Sequence, residues 1–406
     1  MDKRKIAVFT GNRAEYGLQY PILKAIDRHP QLEYQLLVSG AHLDDNFGRT
    51  LDEIRHDGFS IHSEVKIDMG DDSKVSTAQA IGSGVISISR ALELSHPDLM
   101  VVYADRFEGF AAVIAATQMN IPTAHVEGGD LTEGGALDDS VRHAMTKLAH
   151  LHFTTNEQAT NRILAMGEEA WRIHTVGFPA IDLISEGHFA KPAEVMERLS
   201  LDLGRPIVLF TQHSITTEYE LVAEQIQPSL EAMQMLAAQG VQVVLTYPNN
   251  DAGGQTIINK LLALQAQSIF GIQVHRSLGR HLYQGVIGLA SDPNIRVACV
   301  GNSSSGIKET PAFGCPTVNI GSRQEGRLRG DNVIDTKYEI QEVTFAVNRC
   351  LFDEEFRKTC RTTHNPYYLG DAGKKIAAVL ADIPLNQALL RKAMTIKGKA
   401  QDGWYR

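Results

Sequence analysis

Asp105, Glu127 and Asp138 each fall at or just beyond the end of an apolar run, or at the turn that follows one, in the first half of the chain. Three carboxylates converging in such a place suit proton transfer and the stabilisation of a positively charged sugar ring. The same residue types also bind metal ions, but no HExxH or comparable ligand set accompanies them. His150 and His152 have the spacing of a metal pair, yet they lie on an apolar stretch whose alternation turns both to one face. A capping role competes with the catalytic one at Asp138-Asp139-Ser140-Val141-Arg142-His143, which reads as the start of a helix with acids near its positive end.

A second set of residues suits an anion. Gly301-Asn302-Ser303-Ser304-Ser305-Gly306 joins an apolar run to a helix expected near Ile307. Small residues there let backbone N–H groups and hydroxyls point at a phosphate; a serine-rich helix cap is the alternative. It is not a Walker A loop, since no Lys-Ser or Lys-Thr follows, and the first turn of the chain carries no GxGxxG. Glu309 could reach ribose hydroxyls from the first helical turn, or simply complement the helix dipole. Arg13 follows Gly11-Asn12 directly after the first apolar run, where a guanidinium could clamp a pyrophosphate. His213 and Ser214 occupy the matching place in the second half. Arg323 and Arg327, in Gly321-Ser322-Arg323-Gln324-Glu325-Gly326-Arg327, either help to neutralise phosphates or form a solvated charge cluster.

These residues need elements to hold them. Short runs rich in Val and Ile alternate with stretches of helical period, the pattern of βα units in parallel sheets. Strands are expected at Ile6–Thr10, Tyr34–Ser39, Leu99–Tyr103, Thr123–Glu127 and Leu151–Thr154, with helices over Thr77–Leu94, Phe107–Met119 and Ser140–Leu148 between them. A polar stretch near Ser185–Pro206 precedes a second series at Ile207–Thr211, Val241–Tyr247, Ile272–Val274, Val297–Val300 and Thr317–Ile320. The fold class is therefore α/β, in two similar halves. Ligands of open α/β sheets bind outside the carboxyl ends of the strands. The polar loops named above lie there, and two such sets are expected to line one cleft.

At 406 residues the length prior is two or three domains. Hydrophobic residues at 43% and charged residues at 21% exclude disordered, collagen-like and small disulfide-stapled chains. The 39 Lys and Arg against 48 Asp and Glu give a net charge of −9, so neither nucleic acid nor an anionic membrane is an expected partner, and an anionic ligand must be caught locally. The apolar run near the start is shorter than a signal-peptide core, and none approaches a membrane span. Cys299, Cys315, Cys350 and Cys360 form no CxxC pair and sit partly in apolar strands, which predicts buried free thiols and fits a reducing cytoplasm.

Taken together, TGNRAEYG at the first turn, ADRFE around Asp105, HVEGGDLTEGG, DDSVRHAMTKLAHLHF, GNSSSGIKE and NIGSRQEGRLRG resemble the bacterial hydrolysing UDP-N-acetylglucosamine 2-epimerases of sialic acid and related nonulosonic acid biosynthesis. The resemblance runs from residue 5 to about 335. It implies the glycosyltransferase-B architecture: two Rossmann-like domains, over 1–185 and 186–365, facing across a cleft, and last helices over 366–406 that return to the first domain. It also implies that Asp105, Glu127 and Asp138 are the catalytic acids, that Arg142 and His213 are active-site basic residues, and that Arg13, Ser304, Ser305 and Glu309 bind the nucleotide. Ser214, Ser303, Gly306, Arg323 and Arg327 are assigned to the same binding loops.

The reaction so implied converts a UDP-sugar and water into UDP and the sugar inverted at carbon 2, with no cofactor or metal, in a homo-oligomer. Non-hydrolysing relatives typically carry GTRPE, HVEAGLR and PEEANR where this chain has GNRAEYG, HVEGGDL and LDDSVR, which favours hydrolysis. UDP-N-acetylglucosamine is the expected substrate. UDP-N,N'-diacetylbacillosamine is the alternative, since enzymes for the two sugars share nearly all these motifs. The rivals are a non-hydrolysing 2-epimerase, a glycosyltransferase of the same architecture, which would need an acceptor surface, and a nucleotide-sugar-binding regulator without catalysis.

Overall fold

Thirteen strands carry the functional loops in the computed structural model, which describes residues 3–43, 50–70, 74–131, 137–249 and 253–395. They are β1 (Arg4–Thr10), β2 (Leu32–Ser39), β3 (Ile61–Val65), β4 (Leu99–Tyr103), β5 (Thr123–Val126), β6 (Leu151–Thr154), β7 (Ile173–Thr175), β8 (Ile207–Thr211), β9 (Gln242–Thr246), β10 (Ile272–His275), β11 (Val297–Gly301), β12 (Thr317–Ile320) and β13 (Val333–Thr336). The first seven form one parallel sheet in the order β3-β2-β1-β4-β5-β6-β7, the last six another in the order β10-β9-β8-β11-β12-β13. Counted from its own first strand, each sheet begins 3-2-1-4-5-6, the doubly wound Rossmann order. Both are therefore open α/β sheets with crossover helices.

The central strands are apolar throughout because helices cover both faces. All five residues of LMVVY in β4, IVLFT in β8 and VACVG in β11 are buried. Each sheet has a core on either side. Val8, Leu36, Val101 and Phe153 pack on one face of the first, Phe9, Leu37, Met100 and Val102 on the other. In the second, Val208, Val243 and Val300 oppose Leu209, Val244 and Cys299. The four cysteines are free and buried. Among the described residues, no helix is long and apolar enough to cross a membrane.

The sheets belong to two compact units. One contains Met1–Asp130, Leu137–Asp182 and Leu369–Arg406; the other contains Leu131–Ala136 and Leu183–Tyr368. The first unit is thus assembled from both ends of the sequence. Asp182 accepts the N–H groups of Ala372 (3.0 Å) and Gly373 (2.8 Å), opening the helix Ala372–Asp382 that packs on the helix Arg13–Arg28. The fully buried Arg172 donates to the carbonyls of Leu389 (2.7 Å), Ala388 (2.8 Å) and Arg391 (2.9 Å). Lys392 donates to the carbonyls of Lys147 (2.8 Å) and Ala149 (2.5 Å), at the end of the helix Leu137–Leu148, and pairs with the buried Glu168 at 2.8 Å.

Three strands carry no expectation from sequence: β3, β7 and β13. Each is a sheet edge, and their sequences IHSEV, IHT and VIDT mix polar and apolar residues because one side faces less cover. Several expected elements shift at their ends: the helices expected from Thr77 and Ser140 begin at Lys74 and Leu137, and the strand expected from Tyr34 begins at Leu32. The Thr123 strand ends at Val126, since Glu127 turns to a positive φ of 66°. The helix expected near Ile307 is a single turn over Ser305–Lys308, followed by a 3-10 turn at Thr310–Phe313.

Candidate active site

In a 3-2-1-4 sheet the connections leave in opposite directions at strands 1 and 4, which opens a crevice at their carboxyl ends. In the first unit that place belongs to β1 and β4. β4 ends at Tyr103, Ala104 follows with φ 53°, and its N–H donates to the Val126 carbonyl at 3.0 Å. Left-handed backbone at non-glycine residues is held only by surrounding structure. Here Ala104 and Glu127 adopt it at the ends of adjacent strands, which turns Asp105 and Glu127 out of the sheet.

Arg142 is the hub of this end. It is buried on the helix Leu137–Leu148, forms an ion pair with Asp105, and sits in the field of Glu127 and Asp130. Burial alone would lower its proton affinity, but Asp105, Glu127 and Asp130 together hold it above its ordinary value. Asp138 lies one turn earlier on the same helix, on the face that carries Arg142, and is half-buried. His125 is wholly buried between the carbonyl of Ala104 (2.6 Å) and the hydroxyl of Thr146 (3.1 Å); burial pushes it down to about 3, so it is neutral.

Asp130 is fixed by Thr155 Oγ1 (2.9 Å) and Asn156 Nδ2 (3.1 Å), both donating to Oδ1. Asn156 also caps the helix Glu157–Ala165 through Ala159 N–H at 2.9 Å. Tyr103 is buried among acids: burial first, then Glu127, Asp130 and Glu15, raise its phenol well above its ordinary value, so it keeps its proton. At β1 the turn is closed by Glu15, whose Oε2 accepts the Gly11 N–H at 2.8 Å and whose own N–H donates to Asn12 Oδ1 at 3.0 Å. A Cβ on Gly11 would come within 2.8 Å of Glu108 Cβ, so that buried acid fills the space behind the turn.

The corresponding place in the second unit, at β8 and β11, is built mainly from amides, hydroxyls and one histidine, with Arg323, Arg327 and Glu309 bonded around them. Gly301 ends β11 at φ 127°, and a Cβ there would lie 2.0 Å from the Thr211 carbonyl oxygen, so only glycine fits. Asn302 then brackets His213: its Oδ1 accepts the His213 N–H (2.6 Å) and its Nδ2 donates to the His213 carbonyl (2.9 Å). His213 Nδ1 accepts the Asn249 N–H at 2.9 Å, which puts the hydrogen of the neutral ring on Nε2. Ser214 is buried, and its hydroxyl has no partner among the described residues. Gln324 Nε2 (2.8 Å) and Arg323 Nη1 (3.2 Å) donate to the Asn302 carbonyl, and Arg327 Nη1 donates to Gln324 Oε1 at 2.7 Å. Glu309 is buried with both oxygens engaged, by Ser305 Oγ and by Gln284 Nε2, each at 2.8 Å.

A family comparison covers most of this frame. The model of the UDP-N-acetylglucosamine 2-epimerase family matches residues 24–381. The chain belongs to that family. It is 33% identical over 389 residues to a hydrolysing UDP-N,N'-diacetylbacillosamine 2-epimerase of Legionella pneumophila, covering 96% of this chain and 98% of that protein. It is 30% identical over 347 residues to a UDP-N-acetylglucosamine 2-epimerase of Neisseria meningitidis, covering 85% and 87%. Among solved structures it is similar to a UDP-GlcNAc 2-epimerase from Neisseria meningitidis bound to UDP-GlcNAc, with a TM-score of 0.77 at 18% identity, over 93% of this chain and 99% of that one. The two Rossmann-like sheets are those of the glycosyltransferase-B class of fold.

Within this epimerase-family chain, the structure gathers Asp105, Glu127 and Arg142 at one strand end, with Asp138 on the Arg142 helix. It gathers His213 and Ser214 with the Asn302 loop, and Arg323 with it through the Asn302 carbonyl. Arg13 opens the helix Arg13–Arg28, but its side chain lies outside the described residues. Ser304 and Ser305 begin one helical turn, so the dipole expected of a long helix is small. Gly306 serves packing: a Cβ would meet Thr317 Cγ2 at 3.1 Å. His150 and His152 are each committed to the protein, His150 Nδ1 accepting the Thr123 N–H (3.1 Å) and His152 Nε2 bonding Glu168 (3.0 Å). Among the described residues no three His, Cys, Asp or Glu side chains form a metal site. Sequence reasoning passed over Glu15, Tyr103, Asp130, Asn302 as a bracket, and Gln324. Position after a strand marks Asp130 and Asn302; for the others only the fold brings them in.

Proposed function

We propose that this protein is a hydrolysing UDP-sugar 2-epimerase, taking UDP-N-acetylglucosamine and water to UDP and N-acetylmannosamine. The observation that carries the reading is the buried guanidinium of Arg142 paired with Asp105 and surrounded by Glu127 and Asp130. A carboxylate can remove the weakly acidic hydrogen at carbon 2 only while the bond from carbon 1 to UDP is breaking, because positive charge then develops on the ring. That elimination gives UDP and a 2-acetamidoglucal. The hydroxyl of water adds to carbon 1, and a proton is delivered to carbon 2 on the face opposite the one from which its hydrogen left, which inverts that carbon.

Asp105 shares its charge with Arg142, so it fits stabilisation of the developing cation better than proton removal. Glu127 and Asp138 are the proton-transfer pair. Arg13, His213 through Nε2, the serines from Ser303 to Ser305 with Gly306, and Ser214 serve the departing diphosphate, with Arg323 and Arg327 adding positive charge. Glu309 serves the ribose. The chemistry calls for no cofactor or metal.

A second reading of the substrate has its own support: the 33% identical Legionella pneumophila relative is named for UDP-N,N'-diacetylbacillosamine. Both UDP-sugars incubated in parallel in deuterated, heavy-oxygen water decide between them. The expected product is the free 2-epimer of one sugar, deuterated at carbon 2 and labelled at the anomeric oxygen, with unlabelled UDP. A free sugar of unchanged configuration that keeps its original hydrogen means plain hydrolysis. A product still attached to UDP means non-hydrolysing epimerisation.

A further inference from the structure

Glu15 is a buried acid that the reaction above does not use. It lies on the first turn of the helix Arg13–Arg28, 4% exposed, with Oε2 committed to the Gly11 amide at 2.8 Å. Oε1 has no hydrogen-bond partner among the described residues. The charged groups that face it are Glu108, Arg106 and Asp105 at the β4 end, and it acts in turn on the Tyr103 phenol, which also feels Glu127 and Asp130. It therefore lies within the electrostatic reach of Asp105 on one side and of Tyr103 on the other.

We propose that Glu15 is a positioning residue of this site that works as the neutral acid, fixing the Gly11–Asn12 turn while keeping a further negative charge away from Asp105, Glu127 and Asp130. Because Oε2 accepts from Gly11, the proton belongs on Oε1, where it leaves an O–H donor at the back of the cluster. Burial raises the carboxyl from 4.5 to about 8, against the lowering effect of the Gly11 amide, and Glu108 adds to the rise. When Glu15 ionises, its charge increases the proton affinity of the neighbouring carboxylates, and the one that takes the carbon 2 hydrogen becomes slow to pass it on.

The inference rests on the epimerase reading, and its test separates the two. For the wild-type enzyme kcat should fall above pH 8. Glu15→Ala should lower kcat about tenfold at pH 7 with KM within about threefold, as loss of positioning does. Glu15→Gln, which keeps the shape and the acceptor, should recover most of that loss and abolish the alkaline fall. A merely structural Glu15 would leave the pH profile of Glu15→Gln like that of the wild type, and that result overturns the proposal. Infrared difference spectra of wild type against Glu15→Gln, without substrate, provide a readout independent of turnover: a protonated carboxyl band at pH 6 that is gone at pH 9. Turnover without that band overturns the role of Glu15 alone. A band without turnover of either UDP-sugar at any pH overturns the epimerase reading and the role of Glu15 that depends on it.

Discussion

The two sheets share a strand order but present opposite chemistries at the same topological place. At β1 and β4 the groups are Asp105, Glu127, Asp130, Glu15, Glu108 and Arg142, acids in excess around one buried guanidinium. At β8 and β11 they are chiefly Asn302, Gln324 and a neutral His213, joined by amide bonds, with Arg323 and Arg327 donating to the Asn302 carbonyl and to Gln324 and Glu309 held by Ser305 and Gln284. The fold supplies the crevice, and the side chains decide what it does. The charged end also demands more of its surroundings: each acid needs a donor or a counter-charge, so Asp130 is pinned twice and Asp105 is bound to Arg142. The other end has few charges, and Arg323, Arg327 and Glu309 are met there by carbonyl, amide and hydroxyl groups.

That contrast can be broken most strongly at Arg142. Arg142→Leu leaves Asp105 without its guanidinium in a largely buried place, and the first unit should lose roughly 3–5 kcal/mol of stability, read as a lower Tm by calorimetry; an unchanged Tm would mean that the cluster is solvated and the contrast false. Next come the acids. Asp105→Asn, Glu127→Gln and Asp138→Asn should each lower kcat by about 10²-fold or more, with UDP affinity by calorimetric titration within about threefold of wild type. Equal loss of UDP binding would mean that these residues hold the nucleotide instead.

Asn302→Ala tests the other side. It removes both bonds to the His213 backbone, and UDP binding should weaken about tenfold, while solvent-hydrogen exchange at carbon 2 in saturating substrate survives. Acid should separate the two units last and least. Burial lowers His42, His150 and His152 from 6.5 to about 4 and His125 to about 3, all in the first unit. Folded, they are neutral; unfolded, they bind protons below pH 6.5. Their contribution is therefore complete above 6.5 and lost as pH falls toward 4, about 1 kcal/mol for each fully buried ring by pH 5.5. Hydrogen exchange at pH 7 and 5.5, corrected for intrinsic rates, should show protection falling first in β5 and β6.

Much of this arrangement is legible without coordinates, for a definite reason. Central strands such as Leu99–Tyr103 and Ile207–Thr211 are buried on both faces, so they appear as unbroken apolar runs, and functional loops follow them directly. The edge strands β3, β7 and β13 lack that pressure and leave no such run. Asp105 and Glu127 are marked by their positions after strands. Glu15 and Tyr103 are not, because a buried acid on a helix and a tyrosine ending a strand look like an N-terminal dipole partner and a core residue until the packing brings them together. Glu127 lies at the boundary of the two cases: its acid is visible, but its positive φ, which ends the strand one residue early, depends on its neighbours.

The closure of the first unit by the far end of the chain bears on how the protein is made. Everything the second unit needs from Leu183 to Tyr368 leaves the ribosome before the helix Ala372–Asp382 and Lys392 do. The later-encoded unit is thus the first that can be finished, while Asp182, Arg172, Glu168 and the carbonyl end of the Arg142 helix wait for partners that arrive last. During synthesis the acid-rich sheet is a nascent surface in need of protection, and a message truncated after residue 368 would yield the second unit tethered to a first unit that lacks its closing helix and the Lys392 contacts, a natural target for quality-control proteolysis.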